Sequence, residues 1–237
     1  MKALYRLSEK IAGYDFFPWL VMQAQAGATE IVFDIRNPTE SKWPADVVMR
    51  RFETLLWEGP PLIELKRSIG TDGNANLAPY HQRDLIWLAR AGVKFPRIKS
   101  VLPAGAERYT VTLRNTQRVP VRNSDAAAWR EFAAEIGARV IPDYEDEPLA
   151  LHEMVALYAG AEMNFFVTNG PGLLCMLSPY PVMQFDLDVS PMSGYGVPYG
   201  EGYPWLLPNQ LQIYESGDLP TIRKHFYSWA NRCATTN

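Results

Sequence analysis

The sequence predicts an α/β protein with two parallel-sheet halves, the first one reduced. Three observations predict it. Residues 108–185 alternate short apolar runs with helical patterns in a β-α-β-α-β-α-β order. Such alternation implies a parallel sheet with right-handed crossovers. Within it, residues 165–185, FFVTNGPGLLCMLSPYPVMQF, read as a buried strand, a sharp turn, a short helix and a second buried strand. The first third looks like a smaller α/β unit of the same kind. The expected division is therefore 1–103 and 104–237, each half Rossmann-like.

The elements follow in order. Residues 3–7 form a candidate strand. Asp15 can cap a helix through Phe16, Leu20, Val21 and Ala24 that ends at Gly27. Residues 30–35, EIVFDI, are β-branched and aromatic, so a strand. Asp46 caps a second helix, with Val47, Val48, Phe52, Leu55 and Leu56 at roughly helical spacing, and Pro60-Pro61 stops it. Residues 69–79, IGTDGNANLAP, are a polar loop, and 81–91 a helix ended by Gly92. Residues 96–105 read as the link between halves, because they bring prolines and a Pro-Ala-Gly turn.

In the second half, 108–114, RYTVTLR, is a strand. Asn123-Ser124-Asp125 starts a helix through Trp129, Phe132, Ala133 and Ile136, and Gly137 ends it. A strand at 139–141, a helix at 148–161 and a strand at 165–167 follow. After the turn and its helix come a strand at 182–185, a further strand at 211–214 and a closing helix at 219–232.

Composition excludes several classes. Of 237 residues, 47% are hydrophobic and 21% charged, ordinary values for a globular protein. A net charge of −3 does not suit a general nucleic-acid binder or a polybasic membrane anchor. No apolar run reaches the ~20 residues of a membrane span. The N-terminus lacks a signal-peptide layout, so a cytoplasmic location is expected. Cys175 and Cys233 form neither a metal spacing nor a disulfide framework, and Cys175 reads as a small core residue. The three histidines, His81, His152 and His225, show no zinc spacing, so no metal site is expected. GxSxG, P-loop and GxGxxG patterns are absent from the sequence.

Candidate chemistry gathers at the carboxyl ends of the second-half strands. In the turn Thr168-Asn169-Gly170-Pro171-Gly172, Asn169 or Gly170 can take φ > 0 and Pro171 suits the first helical position. A helix N-terminus there favours negative charge. A plain strand-to-helix turn accounts for the same residues. Arg114 ends a strand, where a guanidinium can bind phosphate bidentately. Arg118 and Arg122 follow in the next loop, and at least one reads as merely solvated. Asn123 and Ser124 are explained equally well as caps. Asp143, Glu145, Asp146 and Glu147 form an acidic loop that either meets a ribose or simply precedes a helix. Acid–base candidates in the first half are Asp15, Asp34 and Asp72; Asp72 sits in a long polar loop. The stretch 193–202, SGYGVPYGEG, reads as a mobile loop, with Tyr195, Tyr199 and Tyr203 placed to close over a ligand or partner.

Three segments together, RYTVTLRNTQRVPVRNSDAAAWREF, RVIPDYEDE and LALYAGAEMNFFVTNGPGLLCMLSPYPVMQF, resemble the nucleotide-sugar-binding half of GT-B glycosyltransferases. The heptosyltransferase and fucosyltransferase-like groups are the nearest analogies. The resemblance covers about residues 108–185. It implies a metal-independent transferase that takes a sugar from a nucleoside-diphosphate sugar, with no other cofactor, to a glycan or other acceptor. Arg114, with Arg118 or Arg122, then neutralises the leaving diphosphate, and Asn169, Gly170, Pro171 and Gly172 face it. Residues 1–103 become an acceptor-side half, shorter than these enzymes usually carry. The resemblance carries over no catalytic base; a first-half carboxylate, Asp15 or Asp72, is the expected acceptor-activating base. Two other readings share the fold: a non-catalytic nucleotide- or sugar-binding scaffold, and an epimerase-like enzyme acting on the nucleotide sugar.

Overall fold

The structure is a computed structural model that describes residues 2–7, 30–35, 56–57, 64–68, 82–95, 97–115, 120–142, 149, 151–186 and 197–235. Ten strands are described: β1 (Lys2–Leu7), β2 (Glu30–Ile35), β3 (Leu56–Trp57), β4 (Glu64–Ser68), β5 (Ile98–Lys99), β6 (Tyr109–Leu113), β7 (Arg139–Pro142), β8 (Met163–Val167), β9 (Val182–Phe185) and β10 (Gln210–Gln212). The described helices are α1 (Gln82–Arg90), α2 (Ala126–Ile136), α3 (Leu151–Gly160), α4 (Gly170–Met176) and α5 (Leu219–Ala234).

The second half is a five-stranded sheet in the order β10-β9-β8-β6-β7, parallel at every pairing. Counted from β6, that is the doubly wound order 2-1-3-4-5. The chain leaves β6 toward β7 on one side, then returns past it to β8 on the other. The direction of winding therefore reverses between β6 and β8. In open α/β sheets a crevice opens at the carboxyl ends of the strands at such a point.

The two faces of this sheet differ in chemistry. On one face Tyr109, Val111, Leu113, Met163, Phe165, Val167, Met183 and Phe185 form a continuous apolar layer. Trp129, Phe132 and Ala133 of α2 and Ile222 and Phe226 of α5 cover it. Its rings meet edge to face: Phe132 lies 5.2 Å from Phe165 and 5.5 Å from Phe226. On the other face alternate strand positions carry Thr110, Thr112, Asn164, Gln184 and Gln210, all buried. Thr110 donates to Asn164 Oδ1 at 2.6 Å, and Asn164 Nδ2 donates to the carbonyls of Tyr158 and Pro181. Thr112 Oγ1 and the Tyr158 hydroxyl lie 3.1 Å apart. Gln210 Nε2 donates to the carbonyls of Ser178 and Tyr180, just beyond the end of α4. Buried polar groups are tolerable when satisfied in this way.

The first half contributes a three-stranded parallel sheet, β1-β2-β4. The expected strands at 3–7 and 30–35 are present. β4, ELKRS, is a strand the sequence reading missed, because a single apolar residue, Leu65, among charged ones gives no alternation to read. Leu56 belongs to the short strand β3, paired antiparallel with β5, and not to the end of a helix. The expected helices after Asp15 and Asp46 and the loop 69–79 lie outside the described residues. The expected link is tied into the second half. Ile98 donates to the Leu177 carbonyl at 2.9 Å, and Arg97 Nη1 to that of Met176 at 2.9 Å.

Helix ends obey local rules. Asp125 caps α2 by accepting from Ala127 and Ala128, and Gly137 closes it at φ 68°. Asp218 caps α5 through the Thr221 N–H. Cys175 is fully buried, and burial pushes its thiol well up, as befits a core residue.

Candidate functional site

The carboxyl ends of β6 and β8 bring together Arg114, Arg122 and the turn at Asn169, three of the features singled out in the sequence. Arg114 follows β6 directly and is half-buried. Ser124 fixes its backbone from both sides. The Arg114 N–H donates to Ser124 Oγ at 2.9 Å, and the Ser124 N–H donates to the Arg114 carbonyl at 3.0 Å. Ser124 is thereby held against the end of β6. Pro120 opens a single 3-10 turn, Pro120–Arg122, closed by the Asn123 N–H on the Pro120 carbonyl. This turn carries Arg122 to the neighbouring strand, where Nη2 donates to the Thr168 carbonyl at 2.9 Å. Two guanidinium groups therefore stand on the carboxyl rim, one rooted after β6 and one held at the end of β8.

Arg114 Nε and Asn169 Nδ2 at this rim are buried and have no hydrogen-bond partner among the described residues. No described carboxylate pairs with Arg114. The indole N–H groups of Trp129 and Trp205 are also buried without acceptors, so unsatisfied donors are not confined to the crevice. The difference is position, because the rim donors sit where a doubly wound sheet takes its ligand.

The turn after β8 departs from expectation. Asn169 is extended, φ −146°, and Gly170 is not left-handed. Its place as N-cap explains this, since a capping residue uses β-region backbone. Helix α4 begins at Gly170, so Pro171 is its second residue. Asn169 Oδ1 accepts the Gly172 N–H at 2.8 Å, and Pro171 has no N–H. The backbone donors left in the turn are those of Asn169 and Gly170. A seven-residue helix with its first turn capped internally offers little to an anion, so the cationic weight of the rim falls on the arginines.

Gly172 has a packing reason to be glycine. A Cβ there would lie 3.1 Å from Gln184 Nε2, 3.2 Å from Asn169 Oδ1 and 3.3 Å from the Phe166 ring. Close approach of α4 to β8 and β9 needs the missing side chain.

Sequence reasoning missed the far wall of this rim. Asp186, directly after β9, takes a left-handed backbone at φ 59°. Its Oδ1 accepts the Gly217 N–H at 2.6 Å, and its carbonyl accepts the Thr168 hydroxyl at 3.0 Å. An aspartate immediately after a buried strand was the available signal. Of the other candidates, Asp15, Asp72, Arg118 and the acidic residues 143–147 lie outside the described residues; only the backbone of Asp34, within β2, is described. Tyr203 does not belong to a closing loop: it is buried and stacked on Trp205 at 4.5 Å. Tyr199 is exposed and leans on Tyr214. His152 is partly exposed.

No group of histidine, cysteine, aspartate and glutamate side chains suited to a metal occurs among the described residues. No described helix is long and apolar enough to cross a membrane. Comparison with protein-family models, curated proteins and solved structures finds no match to this chain.

Proposed function

We propose that the chain is a metal-independent glycosyltransferase of GT-B type, taking its sugar from a nucleoside-diphosphate sugar. The observation that carries the reading is the pair of arginines, Arg114 and Arg122, on the rim at the point where the winding of the sheet reverses. Negative charge develops on the diphosphate as the glycosidic bond to the donor breaks. Arg122, whose guanidinium is held by the Thr168 carbonyl, and Arg114, whose backbone is pinned by Ser124, meet that charge from fixed positions, which is how preorganised donors lower a barrier. Guanidinium also matches phosphate in a planar, two-bond geometry. Asn169 Nδ2 and Arg114 Nε, buried without partners, are the donors that gain most from a ligand oxygen. The sheet β1-β2-β4 supplies the acceptor-side half in this reading, with the base drawn from Asp15 or Asp72.

The test is direct binding. The full chain is titrated with UDP, GDP, ADP and CMP and their common sugar conjugates, using thermal shift and calorimetry. One diphosphate family should bind. Arg114→Ala should weaken that ligand by about tenfold to a hundredfold, the value of roughly 1.5–3 kcal/mol for a charge-assisted contact. Unchanged affinity in Arg114→Ala removes the phosphate anchor. Absence of binding by every nucleotide at millimolar concentration removes the reading altogether.

A further inference from the structure

The rim contains a second, less visible arrangement. Asp186 is the only non-glycine with positive φ among the described residues. A left-handed backbone is uncommon outside glycine, and aspartate and asparagine tolerate it best. Here three hydrogen bonds hold it. The Asp186 N–H donates to the Glu215 carbonyl at 3.1 Å. Its carboxylate accepts from Gly217, and its carbonyl accepts from the Thr168 hydroxyl. That hydroxyl is shared with the Phe185 carbonyl at 3.3 Å. Gly217 must itself be small, because a Cβ there would lie 2.8 Å from Asp186 Oδ2 and 3.1 Å from the Trp129 ring.

The corner leads to the arginine. Asp186 fixes the Thr168 side chain, and the carbonyl of the same Thr168 receives Arg122 Nη2 at 2.9 Å. We infer that Thr168 and Asp186 are positioning residues, which aim the Arg122 guanidinium into the crevice and tie its orientation to the loop ahead of α5. The role follows from what a phosphate-binding arginine needs: a long side chain whose rotamers are locked by contacts behind it. The inference rests on the crevice being a diphosphate site. It adds that the site's affinity depends on a residue with no ligand contact of its own.

The experiment uses the full chain and four variants: Thr168→Val, Thr168→Ser, Arg122→Ala and the double variant Thr168→Val/Arg122→Ala. The probes are inorganic pyrophosphate, UDP, GDP and ADP. Thr168→Val keeps the shape and removes the hydroxyl, so it should weaken the binding ligands roughly three- to tenfold, the worth of one ordinary hydrogen bond. Thr168→Ser should restore the affinity. Thr168→Val should add nothing to Arg122→Ala, because the two act through one group. Additive losses, or Thr168→Val binding like the parent while Arg122→Ala does not, overturn the positioning role and leave the diphosphate site standing. Should Arg122→Ala bind every probe like the parent, Arg122 is no phosphate contact and the positioning role fails, whereas absence of binding by the parent removes the diphosphate reading itself; a ligand-free measurement tests the contact directly. Nitrogen-15 relaxation of the Arg122 Nε–H should report an ordered group in the parent and a mobile one in Thr168→Val. Equal order in both overturns the positioning role.

Discussion

One face of the five-stranded sheet is apolar and largely aromatic, and the other sets hydrogen-bonded polar side chains among buried apolar ones, Phe166, Val182 and Ile141. Both are buried, so the contrast is not inside against outside. The apolar face holds α2 and α5 by area and ring contacts, which are non-directional. The polar face holds chain ends: Gln210 gathers carbonyls beyond α4, and Asn164 joins the ends of α3 and of the turn before β9. Hydrogen bonds fix direction where apolar contact fixes only distance. The crevice opens at the carboxyl rim of this sheet, where loops have to be aimed. The difference teaches that this sheet assigns stability to one side and geometry to the other.

That division can be broken by substitution. The largest effect belongs to Phe132→Ala. Its ring is fully buried between Phe165 and Phe226, so truncation should cost about 3–5 kcal/mol in equilibrium denaturation. Asn164→Leu on the opposite face should cost less, about 1–3 kcal/mol, by removing the partner of the Thr110 hydroxyl and the side-chain donor to the Tyr158 and Pro181 carbonyls, the latter keeping only the backbone N–H of residue 164. A larger loss for Asn164→Leu than for Phe132→Ala would reverse the assignment.

The smallest effect is electrostatic and lies outside both faces. Arg223 of α5 donates to Glu135 of α2 at 2.7 Å, and the Tyr227 hydroxyl donates to the same carboxylate. The Arg223 hydrogen bond first, and then that of Tyr227, holds the Glu135 carboxyl below its ordinary range. A group depressed in the folded state stabilises above its unfolded pKa, and this is lost as pH falls through the folded value. Urea midpoints should therefore drop on acidification below about pH 4, where ordinary carboxylates titrate. Glu135→Gln should flatten that acid limb slightly, by less than the effect of Asn164→Leu. An unchanged limb would mean that the Glu135 carboxylate adds nothing measurable between the two helices, which Arg223 also joins through Glu131.

Much of this architecture was legible in the sequence. Strands such as TVTL and EIVFDI announce themselves by composition, and Asp125 and Gly137 bracket α2 as caps should. The polar face was not legible. Asn164 and Gln210 look like surface residues until their partners, carbonyls far away in sequence, are brought near. Arg114 could be placed because it follows a strand without a gap. Arg122 could not be told from a solvated arginine, since its acceptor lies 46 residues away. The turn misled for a local reason: asparagine serves equally as a left-handed residue and as an extended cap.

The strands that close the sheet at its two sides have a consequence for how copies of the protein meet. Arg139–Pro142 has four residues and ends in a proline, which offers no N–H to a newcomer. Gln210–Gln212 has three. Strands so short are poor templates for an added chain. Within this sheet the longer strands, β6 and β8, are flanked on both sides. Crowding should therefore leave the five-stranded sheet out of any aggregate that forms without unfolding, and press these molecules together through other parts of the surface.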